Sequence, residues 1–156
     1  MEWKKMIKED RQLSEQEVES LLKSNKIGQL GTFNNDGSPY VISMNYAYSN
    51  GRFILHSAKD GHKIRNILNN NKVCFTVSQH YQTTKSNKSC SGWHVQYKSV
   101  IAFGRAIIPE DENKKALLEE FTNAFTHENV ALSEKGVQKT LAIVIEIEHI
   151  TGKRGE

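Results

Sequence analysis

The sequence has few cysteines, no long apolar run and no strong excess of one charge. Its two cysteines, Cys74 and Cys90, are too few for a disulfide framework, and Cys74 lies in a predicted strand as a small hydrophobic residue. Nowhere do about 18 apolar residues follow one another, so no membrane-spanning helix is predicted. The charged N-terminus lacks the apolar centre of a signal peptide, so we expect a cytoplasmic protein without a membrane partner.

Charge and length limit the function classes further. The 21 Lys and Arg residues nearly balance the 18 Asp and Glu residues, which leaves a net charge of +3. The positive residues are spread along the chain and form no basic stripe, so we expect no nucleic-acid partner. A chain of 156 residues fits one domain with a hydrophobic core. We predict a single domain over 1–156, with its core at about 13–150.

The motifs of several common enzyme classes are missing. The sequence has no nucleophile elbow, no Walker loop and no dinucleotide-binding fingerprint. His80, Cys90 and His94 could suggest a zinc site, but their spacing is loose and no second ligand pair accompanies them. We therefore assign no metal site.

Local patterns predict an α+β fold. A capping box at Ser14–Glu17 begins an amphipathic helix that ends near Ser24. Turn residues at 34–39 and the hairpin sequence Asn50-Gly51 then separate three antiparallel strands. These strands are predicted at 27–33, 40–48 and 53–57.

The second half of the chain contributes three more strands and two more helices. After a short basic helix, a fourth strand begins at Val73, and a long polar loop is predicted over 79–94. A strand over 95–108 has Gly104 as a bend or bulge, an acidic-first helix follows Pro109, and a strand over 141–150 closes the domain. Six antiparallel strands with three helices predict a small, closed β-barrel.

The turn after the third strand is rich in basic residues. Asp60 can cap the helix that follows, and His62, Lys63 and Arg65 crowd its first turn. Because the positive end of a helix dipole attracts anions, three basic residues there suggest a phosphate site. An ordinary solvated helix face explains the same pattern equally well. His56, at the end of the preceding strand, is likewise either a functional residue or a simple strand cap.

The residues also match a known family. Segments 40–63, 97–105 and 150–153 together resemble the FMN-binding split-barrel flavoproteins, which are relatives of pyridoxamine 5′-phosphate oxidase. Within them, the chain most resembles the nitroimidazole-resistance group, the nitroimidazole reductases. The similarity runs from the helix at 13–22 nearly to the end of the chain.

The resemblance implies a homodimer with an FMN in each groove between subunits. The strand over 41–46 would line the flavin ring, largely with backbone groups, and the next strand end would follow the ribityl-phosphate. Lys63 matches a phosphate-binding lysine, Ser99 a polar flavin contact, and His56 a histidine near the reacting centre, while the loop around Trp93 would approach the flavin. The implied cofactor-binding residues are Val41, Ser43, Met44, Asn45, Tyr46, His56, Ser57, Ala58, His62, Lys63 and Ser99.

The same resemblance argues against one activity. Pyridoxamine phosphate oxidases carry a C-terminal substrate motif with arginine and histidine, and this chain ends at Glu156 without it. We therefore expect an FMN-dependent oxidoreductase that passes electrons to a small acceptor such as a nitroimidazole. A flavin store or sensor, or a barrel that binds deazaflavin or haem, remains an alternative.

Overall fold

The computed structural model describes residues 7–87 and 90–155, and six antiparallel strands close into one barrel. The strands pair around the barrel in the order β1-β2-β3-β6-β5-β4. This architecture confirms the predicted α+β barrel. The strands are β1 Ile27–Phe33, β2 Pro39–Ser49, β3 Arg52–Ala58, β4 Lys72–Lys85, β5 Trp93–Ile107 and β6 Thr140–Gly155.

The helices are α1 Glu15–Ser24, α2 His62–Asn69, α3 Asp111–Thr126 and α4 Glu134–Lys139. The first three correspond to the predicted helices, and α1 begins at the predicted capping box, in which the Glu17 backbone N–H donates to Ser14 Oγ. The short α4 was not predicted. No helix within the described ranges is long and apolar enough to cross a membrane.

Aromatic side chains fill the interior of the barrel. Tyr46, Phe53 and Phe75 are fully buried, and their ring centroids lie 4.7–5.5 Å apart. The Tyr46 hydroxyl donates a hydrogen bond of 2.8 Å to the carbonyl oxygen of Leu22, which holds α1 to the barrel. Ile67 of α2 joins the same cluster. A small barrel that is packed in this way has no internal space for a large ligand.

Strand alternation determines which side chains reach the outer surface. Ala47 of β2 pairs with Ile54 of β3, and both pack outside the barrel in a second cluster beneath α3. His56 lies two residues beyond Ile54 and therefore also faces outward, whereas Ser57 is buried on the inner side.

The prediction of a long loop over 79–94 is wrong. β4 continues to Lys85 and β5 begins at Trp93, with Thr83 opposite Val95 and an irregularity between His80 and Thr83. In this outer part, β4 and β5 pair only with each other, and most of their side chains are exposed. Because neither face is buried, the segment lacks the apolar alternation by which strands are predicted.

Gly104 interrupts the pairing between β5 and β6, as predicted. The register of the two strands shifts between Phe103 and Gly104. A Cβ atom at Gly104 would overlap the Glu146 carbonyl oxygen, so the close approach of the two backbones requires glycine.

Candidate functional site

The turn between β3 and α2 leaves the start of the helix open. Gly61 is the N-terminal cap residue, with φ of 140°, and no side chain caps the helix. The prediction that Asp60 caps α2 is wrong, because its carboxylate accepts from the Gly61 N–H at 2.7 Å and binds the Arg65 side chain. Because glycine has no side chain, the first N–H groups of α2 have no side-chain acceptor at the cap position.

The three basic residues of this turn have different surroundings. Arg65 forms two hydrogen bonds with Asp60, at 3.1 and 3.2 Å, so its charge is compensated. His62 stacks on Tyr40 with ring centroids 4.3 Å apart. Lys63 is half-buried, and its ammonium group forms no ion pair with any residue of the described ranges. Of the three, Lys63 is therefore the cation most available to an anion.

A polar network fixes the orientation of α2. Asn66 is buried and donates to Thr32 Oγ1 at 3.0 Å and to Asn34 Oδ1 at 2.9 Å. The same Asn34 oxygen lies 2.6 Å from His62 Nε2, so the imidazole donates to it. One nitrogen of the predicted ligand His62 is thus already engaged in holding the β1–β2 turn.

Ser57 is a buried polar residue at the end of β3. Its Oγ is shielded from solvent and has no hydrogen-bond partner among residues 7–87 and 90–155. Leaving a buried hydroxyl unpaired is unfavourable. Ser57 is the last residue but one of β3, and Lys63 is the second residue of α2. An anion at the uncapped start of α2 would meet backbone N–H groups and the ammonium group of Lys63.

His56 lies on the outer face beside α3. Its ring contacts Phe121 edge-on, with centroids 4.7 Å apart. Burial against this helix lowers the pKa of His56 below its usual value, and the positive charge of Lys63 lowers it further. The lowered pKa favours the uncharged ring, in which one nitrogen can accept a hydrogen bond.

The predicted residues of β2 divide between the two faces of the strand. Val41, Ser43 and Asn45 are exposed on the outer face, whereas Met44 and Tyr46 point into the core. A ligand on the outer face could therefore touch only the backbone of Met44 and Tyr46. Ala58 is exposed at the end of β3.

Ser99 lies far from the other predicted site residues. It is on β5, opposite Ser78 of β4 and Lys153 of β6. β2 and β5 are three places apart in either direction around the six-stranded ring, so the outer faces of these strands look away from each other. One chain alone does not bring Ser99 to the β2–β3 surface.

The sequence did not predict two features near the candidate site, a polar network beside α2 and the helix α4. The network of Thr32, Asn34 and Asn66 depends on contacts across more than 30 residues, and no local pattern indicates it. The helix α4, which lies near His56, begins with a Ser133 cap that accepts from the Gly136 N–H at 3.2 Å. The sequence Ser133-Glu134 is a usable start signal for that helix.

The chain belongs to the pyridoxamine 5′-phosphate oxidase family, whose model matches residues 14–154. No curated protein matches the chain by sequence.

Solved structures share this fold over most of the chain. A candidate 5-nitroimidazole antibiotic resistance protein from Bacteroides thetaiotaomicron is 25% identical, with a TM-score of 0.82, over 92% of this chain and 86% of that one. An FAD-binding protein from Mesorhizobium loti is 27% identical, with a TM-score of 0.71. The match covers 94% of this chain and 98% of that protein's chain. An FAD- and heme-binding protein from Mycobacterium smegmatis is 19% identical, with a TM-score of 0.82, and the match covers 94% of this chain and 74% of that protein's chain. At this identity, the similarity shows a shared fold alone.

Proposed function

We propose that this protein is an FMN-dependent oxidoreductase that passes electrons to a small acceptor such as a nitroimidazole. The observation that carries the proposal is the uncapped start of α2 beside Lys63, whose ammonium group forms no ion pair within the described ranges. These groups fit a phosphate monoester, which accepts several charge-assisted hydrogen bonds at once. The nearby strand end also carries the buried Ser57 hydroxyl, which has no hydrogen-bond partner in the described ranges.

The outer face of β2 would hold the flavin ring. Val41, Ser43 and Asn45 leave this face open, and its backbone lies on the same side of the barrel as His56. A bound flavin supplies the electron transfer, and the protein contributes binding, orientation and exclusion of water. His56, whose pKa is lowered and whose ring packs on Phe121, would place a hydrogen-bonding nitrogen beside the acceptor.

A second copy of the chain would complete the site. The filled barrel interior leaves the cofactor on an outer surface, and a groove between two barrels buries a flavin better than one convex wall. Ser99 can join the β2–β3 surface only if it comes from a partner, because it lies on the opposite wall. We therefore propose a homodimer in which β5 of one subunit faces β2 of the other.

The resemblance to the candidate nitroimidazole resistance protein supports a nitroaromatic acceptor. The similar FAD-binding protein makes FAD the second candidate cofactor. FMN is preferred because the turn beside Ser57 suits a terminal phosphate. A non-catalytic flavin store or sensor would keep the same cofactor site and show no turnover with a nitroimidazole and a reductant.

Replacing Lys63 tests the phosphate contact. We expect Lys63→Ala to weaken FMN binding by about 1.5–3 kcal/mol, because a charge-assisted hydrogen bond to the phosphate is lost. Riboflavin, which lacks the phosphate, should bind both proteins equally. Fluorescence titration of the apoprotein with each flavin measures both effects.

A matched control is Lys23→Ala, which removes an exposed lysine paired with Glu19 on α1. This change should leave both affinities unaltered. Unchanged FMN affinity in Lys63→Ala would reject the phosphate assignment. The visible spectrum of the purified protein, followed by chromatography of the released cofactor, distinguishes FMN from FAD, deazaflavin and haem.

A further inference from the structure

A cavity of about 230 Å³ lies behind His56, between the barrel wall and the helices α3 and α4. We call it the α3–α4 cavity. Leu118 and Phe121 of α3, together with Leu132 and Val137, provide its apolar walls. The His56 ring forms part of the remaining wall and contacts the Phe121 ring.

The hydroxyl groups around the cavity form hydrogen bonds within the protein. Thr122 Oγ1 donates to the Leu118 carbonyl oxygen, and Thr140 Oγ1 donates to the Gly136 carbonyl oxygen, both at 2.8 Å. Ser133 Oγ accepts from the Gly136 N–H as the cap of α4. These contacts serve the helices, so the cavity presents a mainly apolar surface.

His56 offers the cavity a ring nitrogen that can accept a hydrogen bond. Neither ring nitrogen has a hydrogen-bond partner in the part of the chain that the structure describes. The positive charge of Lys63 acts on this ring, which disfavours a cationic ligand nearby. An apolar cavity with one hydrogen-bonding nitrogen suits a small, uncharged aromatic molecule that carries a single polar group.

We propose that the α3–α4 cavity binds one single-ring, uncharged aromatic molecule whose hydroxyl group donates a hydrogen bond to His56. The size is sufficient, because an engineered apolar cavity of about 150 Å³ takes up benzene. The site goes beyond the proposed function, because α3 and α4 form most of it and no flavin is required for binding.

Phenol and benzene, titrated into the full chain and followed by calorimetry, are suitable probes. Phenol should bind saturably and more tightly than benzene. His56→Phe keeps an aromatic ring against Phe121 but removes the nitrogen. It should weaken phenol binding about fivefold, the usual contribution of one hydrogen bond, and leave benzene binding unchanged. Equal phenol affinity in His56→Phe and wild type would overturn the role of His56.

A second pair of variants tests the cavity itself. Val137→Phe should fill the space and abolish binding of both probes, whereas Val130→Phe, at an exposed position outside the cavity walls, should not. If circular dichroism shows that Val137→Phe does not fold, Leu132→Trp serves as the filling variant. Absence of saturable phenol binding to the folded wild type, or undiminished binding in a folded filling variant, would overturn the proposal. These results are independent of the FMN titrations with Lys63→Ala.

Discussion

His56 combines three properties at the end of β3. It is held against the Phe121 ring, its pKa is lowered by burial and by Lys63, and its ring nitrogens have no partner in the described ranges. A simple strand cap would use one of those nitrogens to bind a backbone group. No such bond is present in the described ranges, so a nitrogen of His56 is free to meet a bound molecule, as the proposed function requires.

Replacing His56 with asparagine separates cofactor binding from reaction. We expect His56→Asn to retain bound flavin but to slow reduction of a nitroimidazole about 10²–10⁴-fold, the usual contribution of an acid–base or positioning group. Steady-state assays and the flavin absorbance of the purified variant measure the two effects.

His127→Asn is the matched control for this substitution. His127 has φ of 61° at the C-terminal end of α3, a conformation that asparagine tolerates. The control should keep both flavin content and rate. Equal rates in His56→Asn and wild type would remove His56 from the reaction and leave it a cofactor contact.

One carboxylate links α1 to two strands of the barrel. Glu17 accepts from the Ser14 backbone N–H at 3.0 Å, from Lys98 of β5 at 3.1 Å and from Arg154 of β6 at 2.6 Å. These partners, with the Ser14 hydrogen bond largest, lower the pKa of Glu17 to about 2. One side chain therefore caps its own helix and links that helix to two strands that lie far away in the sequence.

The lowered pKa of Glu17 predicts a dependence of stability on pH. Because the folded pKa lies below the unfolded value of 4.5, Glu17 stabilises the fold fully above pH 4.5 and progressively less as the pH falls toward 2. Glu17→Gln should therefore lower the urea midpoint at neutral pH, and the curves of variant and wild type should converge near pH 2. Urea titrations across this range provide the measurement.

Glu19→Gln is the comparison for this prediction, since Glu19 is in the same helix and pairs only with exposed Lys23 in the contacts described. Its midpoint should follow the wild type closely at every pH. If Glu17→Gln and Glu19→Gln behave alike, the link between α1 and the barrel does not stabilise the fold.

The barrel as a whole is covered unevenly. α3 packs over one side, on Ala47, Ile54 and Val144. Elsewhere apolar side chains are exposed on two opposite walls, with Val41 of β2 at 64% and Ile101 of β5 at 41%. Exposed apolar side chains commonly mark an interface, and these two would meet in the proposed homodimer, in which β5 of one subunit faces β2 of the other.

Introducing a charge at Ile101 tests that interface. Ile101→Glu should weaken self-association at least about tenfold, because a buried, unpaired carboxylate is unfavourable, and should reduce flavin retention in parallel. Light scattering at micromolar concentration and flavin absorbance report the two effects. Leu68→Glu, at an exposed position on α2, should leave the protein dimeric. A stable wild-type monomer that holds flavin would contradict the dimer.

Local rules were sufficient for most of the elements. The Ser14–Glu17 capping box, the Asn50-Gly51 turn and the period-2 pattern of β3 depend on neighbouring residues, so helix and strand positions followed from them. The bulge at Gly104 was predicted for the same reason. The strands beyond His80 were missed because they have no buried face to impose an alternation.

The arrangement of the site required the closed barrel. Sequence patterns indicated basic residues at the start of α2, and only the fold showed that Arg65 is neutralised by Asp60 while Lys63 is not. Likewise, barrel closure places Ser99 on the wall opposite β2, and α4 forms part of the wall of a cavity lined by His56. The chain's local patterns determined its elements, because capping and alternation act over a few residues. Tertiary structure decided which side chains meet, because those contacts join residues far apart in the sequence.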